Sequence, residues 1–245
     1  MSVRFKNRRS PFQVFLIANL MLGSLISSDI GASTDLSNGQ NIQHTGWLSL
    51  LNKDIGTIGT LADRSPVMQV YVNSVFDDKF YTSLWANIPL DSDNRSRSTE
   101  FDLSLGYIKK YNDYTLDFSV ALFDIENPSI GDFENDILTT RFRVDKNNNY
   151  FEISHYEGMS AENGWLAAIG NTVKVSDALI LYSNLSYTSE PFNFGTVAFV
   201  HSKLAYSPVN NGMVYFAEFT DQLYRENPSD PRRSALLFGI RYDFL

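Results

Sequence analysis

From about residue 40 to the end, the sequence is built of segments of roughly ten residues in which apolar and polar side chains alternate. Period two turns successive side chains to opposite faces of a strand, so each segment has one apolar and one wet face. One face collects Leu84 and Ile88; Phe101, Leu103, Leu105 and Tyr107; Leu116, Phe118, Val120 and Leu122; Trp165, Ile169 and Val173; and Leu236, Phe238, Ile240, Tyr242 and Phe244. The other carries Asn73, Ser83, Asn87, Ser104, Ser119 and Asn184 together with charged residues. The pattern predicts strands near 42–52, 67–76, 80–89, 99–109, 114–125, 136–145, 149–158, 165–175, 178–188, 195–206, 212–222 and 234–245. Alternation is less clean over 195–206 and 212–222, and weakest over 42–52.

The connections alternate in length. Those near 77–79, 110–113, 146–148, 176–177 and 207–211 are tight, whereas those near 53–66, 90–98, 126–135, 159–164, 189–194 and 223–233 are mostly longer and richer in charge, Pro and Gly. An up-and-down barrel with both termini on its short-turn rim produces that order. Twelve strands enclose too wide a space to be filled by these apolar faces, so the faces are expected to point outward to lipid. Closure then satisfies every backbone hydrogen bond without an open edge, as lipid demands. The expected fold is all-β, a transmembrane antiparallel up-and-down barrel of about twelve strands, with ten or fourteen as alternatives.

The amino terminus reads as an export segment. Arg4, Lys6, Arg8 and Arg9 precede an apolar run from Phe12 to Ile26, followed by small residues with candidate cleavage sites at Ser27-Ser28 and Gly31-Ala32. The expected organisation is a signal peptide over 1–32 and a barrel over 33–245. Removing 1–32 leaves 16 basic and 27 acidic residues, a formal net of −11, which is a poor match for nucleic acid. The absence of cysteine excludes disulfides, thiol nucleophiles and thiolate metal sites.

Aromatic residues, 18 Phe and 13 Tyr, are abundant. Phe76 and Phe80, Tyr107, Tyr111 and Tyr114, Tyr150 and Phe151, and Tyr206 flank the tight turns, where a membrane–water interface favours half-buried rings. The last ten residues, LLFGIRYDFL, resemble the terminal strand signal read by the outer-membrane barrel assembly machinery: Gly239, Tyr242 and Phe244 fit it, while Leu237 stands at a usually polar position and Leu245 follows the Phe. A longer stretch, with Thr45-Gly46, Pro66-Val67-Met68-Gln69, Phe80-Tyr81, Trp85, Thr99-Glu100, Asp102-Leu103 and Gly106-Tyr107, is similar in order and spacing to the TorF-like porin family. That family usually carries an early Arg-Gly pair where this chain has Asn52-Lys53-Asp54-Ile55-Gly56. The resemblance implies an outer-membrane barrel with a transport role and no catalytic residues.

His44, His155 and His201 are the only histidines, and His201-Ser202 and Ser154-His155 are neighbours that a strand turns to opposite faces, which spoils them as base and nucleophile. Asp91, Asp93 and Asn94, and Asp132, Glu134 and Asp136, lack the full calcium-loop spacing and read as solvated loops facing lipopolysaccharide. Neither a cofactor nor a metal is expected. The inward charges are the best clue: Arg141, Arg143, Lys174, Lys203 and Arg241 alternate along the barrel wall with Asp102, Asp117, Glu152 and Glu218. Such a wall either sets ion preference in an aqueous bore or braces a closed interior. The first reading gives a porin-like channel for passive diffusion of small hydrophilic solutes or ions, embedded in outer-membrane lipid; the alternative is a closed structural or adhesive barrel whose loops bind a partner. A lipid- or peptide-cleaving enzyme ranks below both, and oligomeric state is not legible.

Overall fold

The structure, a computed structural model, describes residues 41–55, 61–63, 66–90, 99–126, 137–158, 163–189, 196–208, 212–226 and 234–244. The expected signal segment and both acidic loop runs lie outside these residues. Among the described residues fourteen strands form: β1 (Ile42–Leu51), β2 (Asp54–Ile55), β3 (Leu61–Asp63), β4 (Val67–Phe76), β5 (Phe80–Pro89), β6 (Thr99–Tyr111), β7 (Tyr114–Glu126), β8 (Ile137–Lys146), β9 (Asn149–Gly158), β10 (Gly164–Lys174), β11 (Leu179–Ser189), β12 (Val197–Tyr206), β13 (Met213–Arg225) and β14 (Ser234–Asp243). Twelve of them pair antiparallel with their neighbours into a closed barrel, from β1 through β4 to β14 and back to β1. The expected barrel therefore forms, and strand ends differ from the sequence pattern by no more than a few residues. The pattern gave no sign of the β2–β3 ribbon, whose two- and three-residue strands are too short for a periodic signal.

Local chemistry makes one rim tight. Asp77 and Asp78 adopt φ of 51° and 56°, and Asn112 and Asn147 adopt 51° and 53°. Short Asx side chains tolerate this left-handed region, which turns of the hairpin type require. Lys79 N–H closes the first such turn on Phe76 C=O at 3.0 Å.

The two faces of the wall are chemically opposite. Leu103, Leu105, Phe118, Ile169, Leu185, Phe238 and Ile240 are exposed on the outside, whereas Ser49, Ser119, Ser154, Ser186, Thr188 and Thr220 are buried within. In water that outer belt would be a large aggregation-prone surface; in lipid it is the stable arrangement. Phe80, Tyr107, Tyr111, Tyr114, Phe151, Tyr206 and Tyr242 stand exposed toward the tight-turn rim. Tyr150 departs from the expected girdle: next to outward Phe151, period two sends it inward, where it lines the interior cavity.

The interior is less polar than the alternation suggests. Leu51, Val67, Ala205, Val214, Phe216 and Leu237 form one buried cluster. A second holds Ile137, Tyr156, Leu166 and Ala168, with Phe123 and Tyr150 packed against it. These inward apolar residues explain why β12 and β13 alternate poorly: both of their faces carry large side chains. Leu237, at the usually polar position of the terminal pattern, is 1% exposed.

Three inward aromatic rings lie across glycines on the neighbouring strand. Tyr81 pairs with Gly106, Tyr150 with Gly170 and Phe216 with Gly239. A Cβ on those glycines would meet the ring at 2.1, 2.4 and 2.3 Å respectively. Glycine here supplies room, and the ring covers the strand stretch that glycine leaves bare.

Candidate functional site in the barrel interior

Register carries the inward charges to one level. Asp117 stands opposite Arg143 on β8, and Arg143 opposite Glu152 on β9. Arg141, two residues away on the same face, donates from Nη2 to Asp117 Oδ2 at 2.6 Å, and its Nη1 lies 4.0 Å from Glu152. Tyr81, laid over Gly106, reaches past β6 so that its hydroxyl donates to Asp117 Oδ1 at 2.9 Å and accepts from Arg141 Nη2 at 3.1 Å. Arg143 pairs with Asp145 at 2.6 Å, approaches Glu152 at 3.7 Å and lies 3.9 Å over the Tyr150 ring.

Across the barrel, Lys203 and Glu218 are register partners and form an ion pair at 2.5 Å, with the ammonium 3.8 Å over Phe216. His201 Nε2 meets the other Glu218 oxygen at 3.2 Å. Arg241 pairs with Asp243 at 2.7 Å and faces the Trp47 ring at 6.0 Å. Lys174 pairs with the almost fully exposed Asp177 at 2.8 Å and belongs to the rim.

Between these groups lies a cavity of about 790 Å³. Of the sequence-predicted charges, Asp102, Asp117, Arg141, Glu152 and Glu218 line it; Arg143, Lys174, Lys203 and Arg241 do not. Sequence reasoning missed the aromatic share of the wall: Trp47, Tyr71, Tyr81, Trp85, Tyr150 and Tyr156 all border the cavity. Their position was readable from parity with Asn73, Ser83 and Glu152 on the same strands.

The histidines are dispersed. His44 meets Ser74 at 2.9 Å on the outer face, His155 packs against outward Trp165 with ring centroids 4.5 Å apart, and His201 faces inward. Ser154 is buried inside opposite to His155, and Ser202 pairs with Ser183 at 3.3 Å on the face away from His201. Outside the wall itself, Thr196 and Glu226 close the long-loop end of β12 and β13. Glu226 N–H donates to Thr196 C=O at 2.9 Å, and Thr196 N–H donates to the Glu226 carboxylate at 2.9 Å, which holds that carboxyl below the usual glutamate range.

A closed twelve-stranded barrel with an apolar belt outside and a charged, cavity-bearing interior has the architecture of an outer-membrane β-barrel. Among solved structures, the KdgM porin is similar at a TM-score of 0.53 and 12% identity, covering 82% of this chain and 98% of that one. The NanC porin is similar at a TM-score of 0.53 and 8% identity, covering 82% and 99%. At such identities the likeness is one of fold. The sequence matches no family model and no curated protein.

Proposed function

We propose that the protein is a porin-like channel for passive diffusion of small hydrophilic solutes or ions across the outer membrane, a role that agrees with its resemblance to the TorF-like porins. The observation that carries this is the interior cavity of about 790 Å³ walled by charged, polar and aromatic side chains. A barrel with a purely structural role gains nothing from burying carboxylates around a void, because charges removed from water are costly unless compensated. On this reading the charged residues Asp102, Asp117, Arg141, Glu152 and Glu218 act on permeating ions directly. Arg143, Lys203 and Arg241 position the carboxylates they pair with, and Lys174 tunes the rim potential. Gly239, Tyr242 and Phe244 serve as the assembly signal, residues 1–32 as the export segment, and the long loops face lipopolysaccharide.

A second reading, a closed structural or adhesive barrel, is favoured by the ion pairs on Arg141, Arg143, Lys203 and Arg241 and by the two interior apolar clusters. Conductance of the refolded protein in a planar bilayer separates the two. Stepwise current increments are expected for the channel; a bilayer that stays silent with correctly folded protein overturns it.

A further inference from the structure

We propose that the lumen favours cations, and that its preferred solutes are small organic ammonium ions; this rests on the channel reading above. The charge balance comes first. Five carboxylates line the cavity, those of Glu100, Asp102, Asp117, Glu152 and Glu218, against a single guanidinium, that of Arg141. Arg143 and Lys203 face the interior beyond the lining, and counting them together with Asp145 and the Arg241–Asp243 pair gives seven carboxylates to four cations in this group of side chains. A cavity walled by low-dielectric protein focuses such an imbalance into a negative potential, which raises the local concentration of cations and excludes anions.

The second observation is aromatic. Register sets Trp47, Tyr71, Trp85 and Asp102 side by side on β1, β4, β5 and β6, all four facing the cavity. Trp47 and Tyr71 stack at 5.5 Å with an interplanar angle of 23°, and the aromatic strip ends at the Asp102 carboxylate. The strip already attracts one internal cation, the guanidinium of Arg241 at 6.0 Å from the Trp47 centroid. Ring faces beside a carboxylate suit an ammonium group carrying alkyl substituents, which is poorly hydrated and gains from the ring quadrupole. They offer less to a small inorganic ion, which keeps its water.

The third observation is an unfilled polar position. Thr139, 5% exposed on the cavity wall, has a side-chain oxygen with no hydrogen-bond partner, and so has the Asn73 amide oxygen on the same wall. Both can accept from an N–H or O–H carried by such a cation, the hydroxyl of choline included.

The test uses the full mature protein in planar bilayers. In a potassium chloride gradient the reversal potential should have the sign of potassium permeation over chloride. Added choline should permeate or block, reducing potassium current at a concentration where a neutral disaccharide has no effect. Asp102→Asn should lower the potassium-to-chloride ratio, and Trp85→Leu should raise the half-blocking choline concentration about two- to fivefold, the weight of one ring contact. The parent alone decides the main point, so a variant that fails to assemble does not shield the proposal. Chloride preference, or choline no more effective than the disaccharide, overturns the inference while the channel stands. A silent bilayer with folded protein overturns the channel reading and this one with it.

Discussion

Replacing Gly106 by alanine tests whether the ring-on-glycine contacts organise the interior. The new Cβ would lie 2.1 Å from Tyr81 Cζ and 2.5 Å from its hydroxyl oxygen, so the ring must lift off β6. Its hydroxyl then leaves Asp117 and Arg141, now at 2.9 and 3.1 Å. Overpacking of this kind costs about 1–3 kcal/mol, and a hydrogen bond to a charged group is worth about 1.5–3 kcal/mol, the lower end applying to these part-buried partners. Against that, alanine gains about 0.5–1 kcal/mol over glycine in a strand interior. The net expectation is a loss of about 2–4 kcal/mol. In a Tyr81→Ala background the obstacle is gone, so Gly106→Ala should be neutral or stabilising by roughly 0.5–1 kcal/mol. Reversible urea unfolding in lipid vesicles, followed by tryptophan fluorescence for the parent, both single variants and the double, gives the coupling energy directly. Equal costs for Gly106→Ala in the two backgrounds would refute the argument, since the glycine would then matter for a reason unrelated to Tyr81.

Arg141→Glu places a third carboxylate between Asp117 and Glu152; with the arginine about a third exposed, we expect a loss of about 1–3 kcal/mol, seen as a lower unfolding temperature, and an unchanged midpoint would show that the pairs bear no weight. Tyr242→Asp, or deletion of Phe244 and Leu245, should reduce assembly: the first puts a charge on the lipid face and the second removes the Phe244 N–H bond to Gly46 C=O at 3.0 Å. Normal heat-modifiable mobility in both variants would count against the assembly signal. Because the Glu226 carboxyl titrates lower in the folded state, its contribution at the β12–β13 end is present above the ordinary glutamate range and is lost as pH falls through the depressed value. The Thr196 amide resonance should therefore titrate below that range, and a midpoint at or above the ordinary value would show that the Glu226–Thr196 contact does not hold in solution.

The barrel was legible because period two over ten residues is unambiguous when one face is lipid-facing and the other mostly polar, as on β6 and β7. Leu103, Leu105, Phe118 and Val120 read correctly for that reason. It blurred on β12 and β13, where Val197, Phe199, Val214 and Phe216 point inward and make both faces apolar. The inward charges were placed by the same parity, yet parity says nothing about depth along the strand. Lys174 and Glu152 share an inward parity, but one sits at the rim and the other on the cavity wall. The partner of each charge depends on register between strands, which no single segment encodes. The glycines opposite Tyr81 and Tyr150 were likewise silent, because a gap becomes visible only once its neighbour is known.

The closing pair of the barrel has its own consequence. β1 and β14 match over five residues, Trp47 to Leu51 against Asp243 to Gly239, whereas β1 and β4 match over ten. Past that junction the edge of β14 is held by Asn52, whose N–H donates to Phe238 C=O at 3.0 Å while its side-chain oxygen accepts from Phe238 N–H at 2.7 Å. One amide side chain thus does the work of a missing strand residue. The ring is consequently anisotropic in its resistance to opening: a thermal fluctuation that unzips the wall has the fewest paired residues to separate there, where the first and last barrel strands meet. An excursion that opens the wall would therefore start at this short hem, which Asn52 pins at its edge.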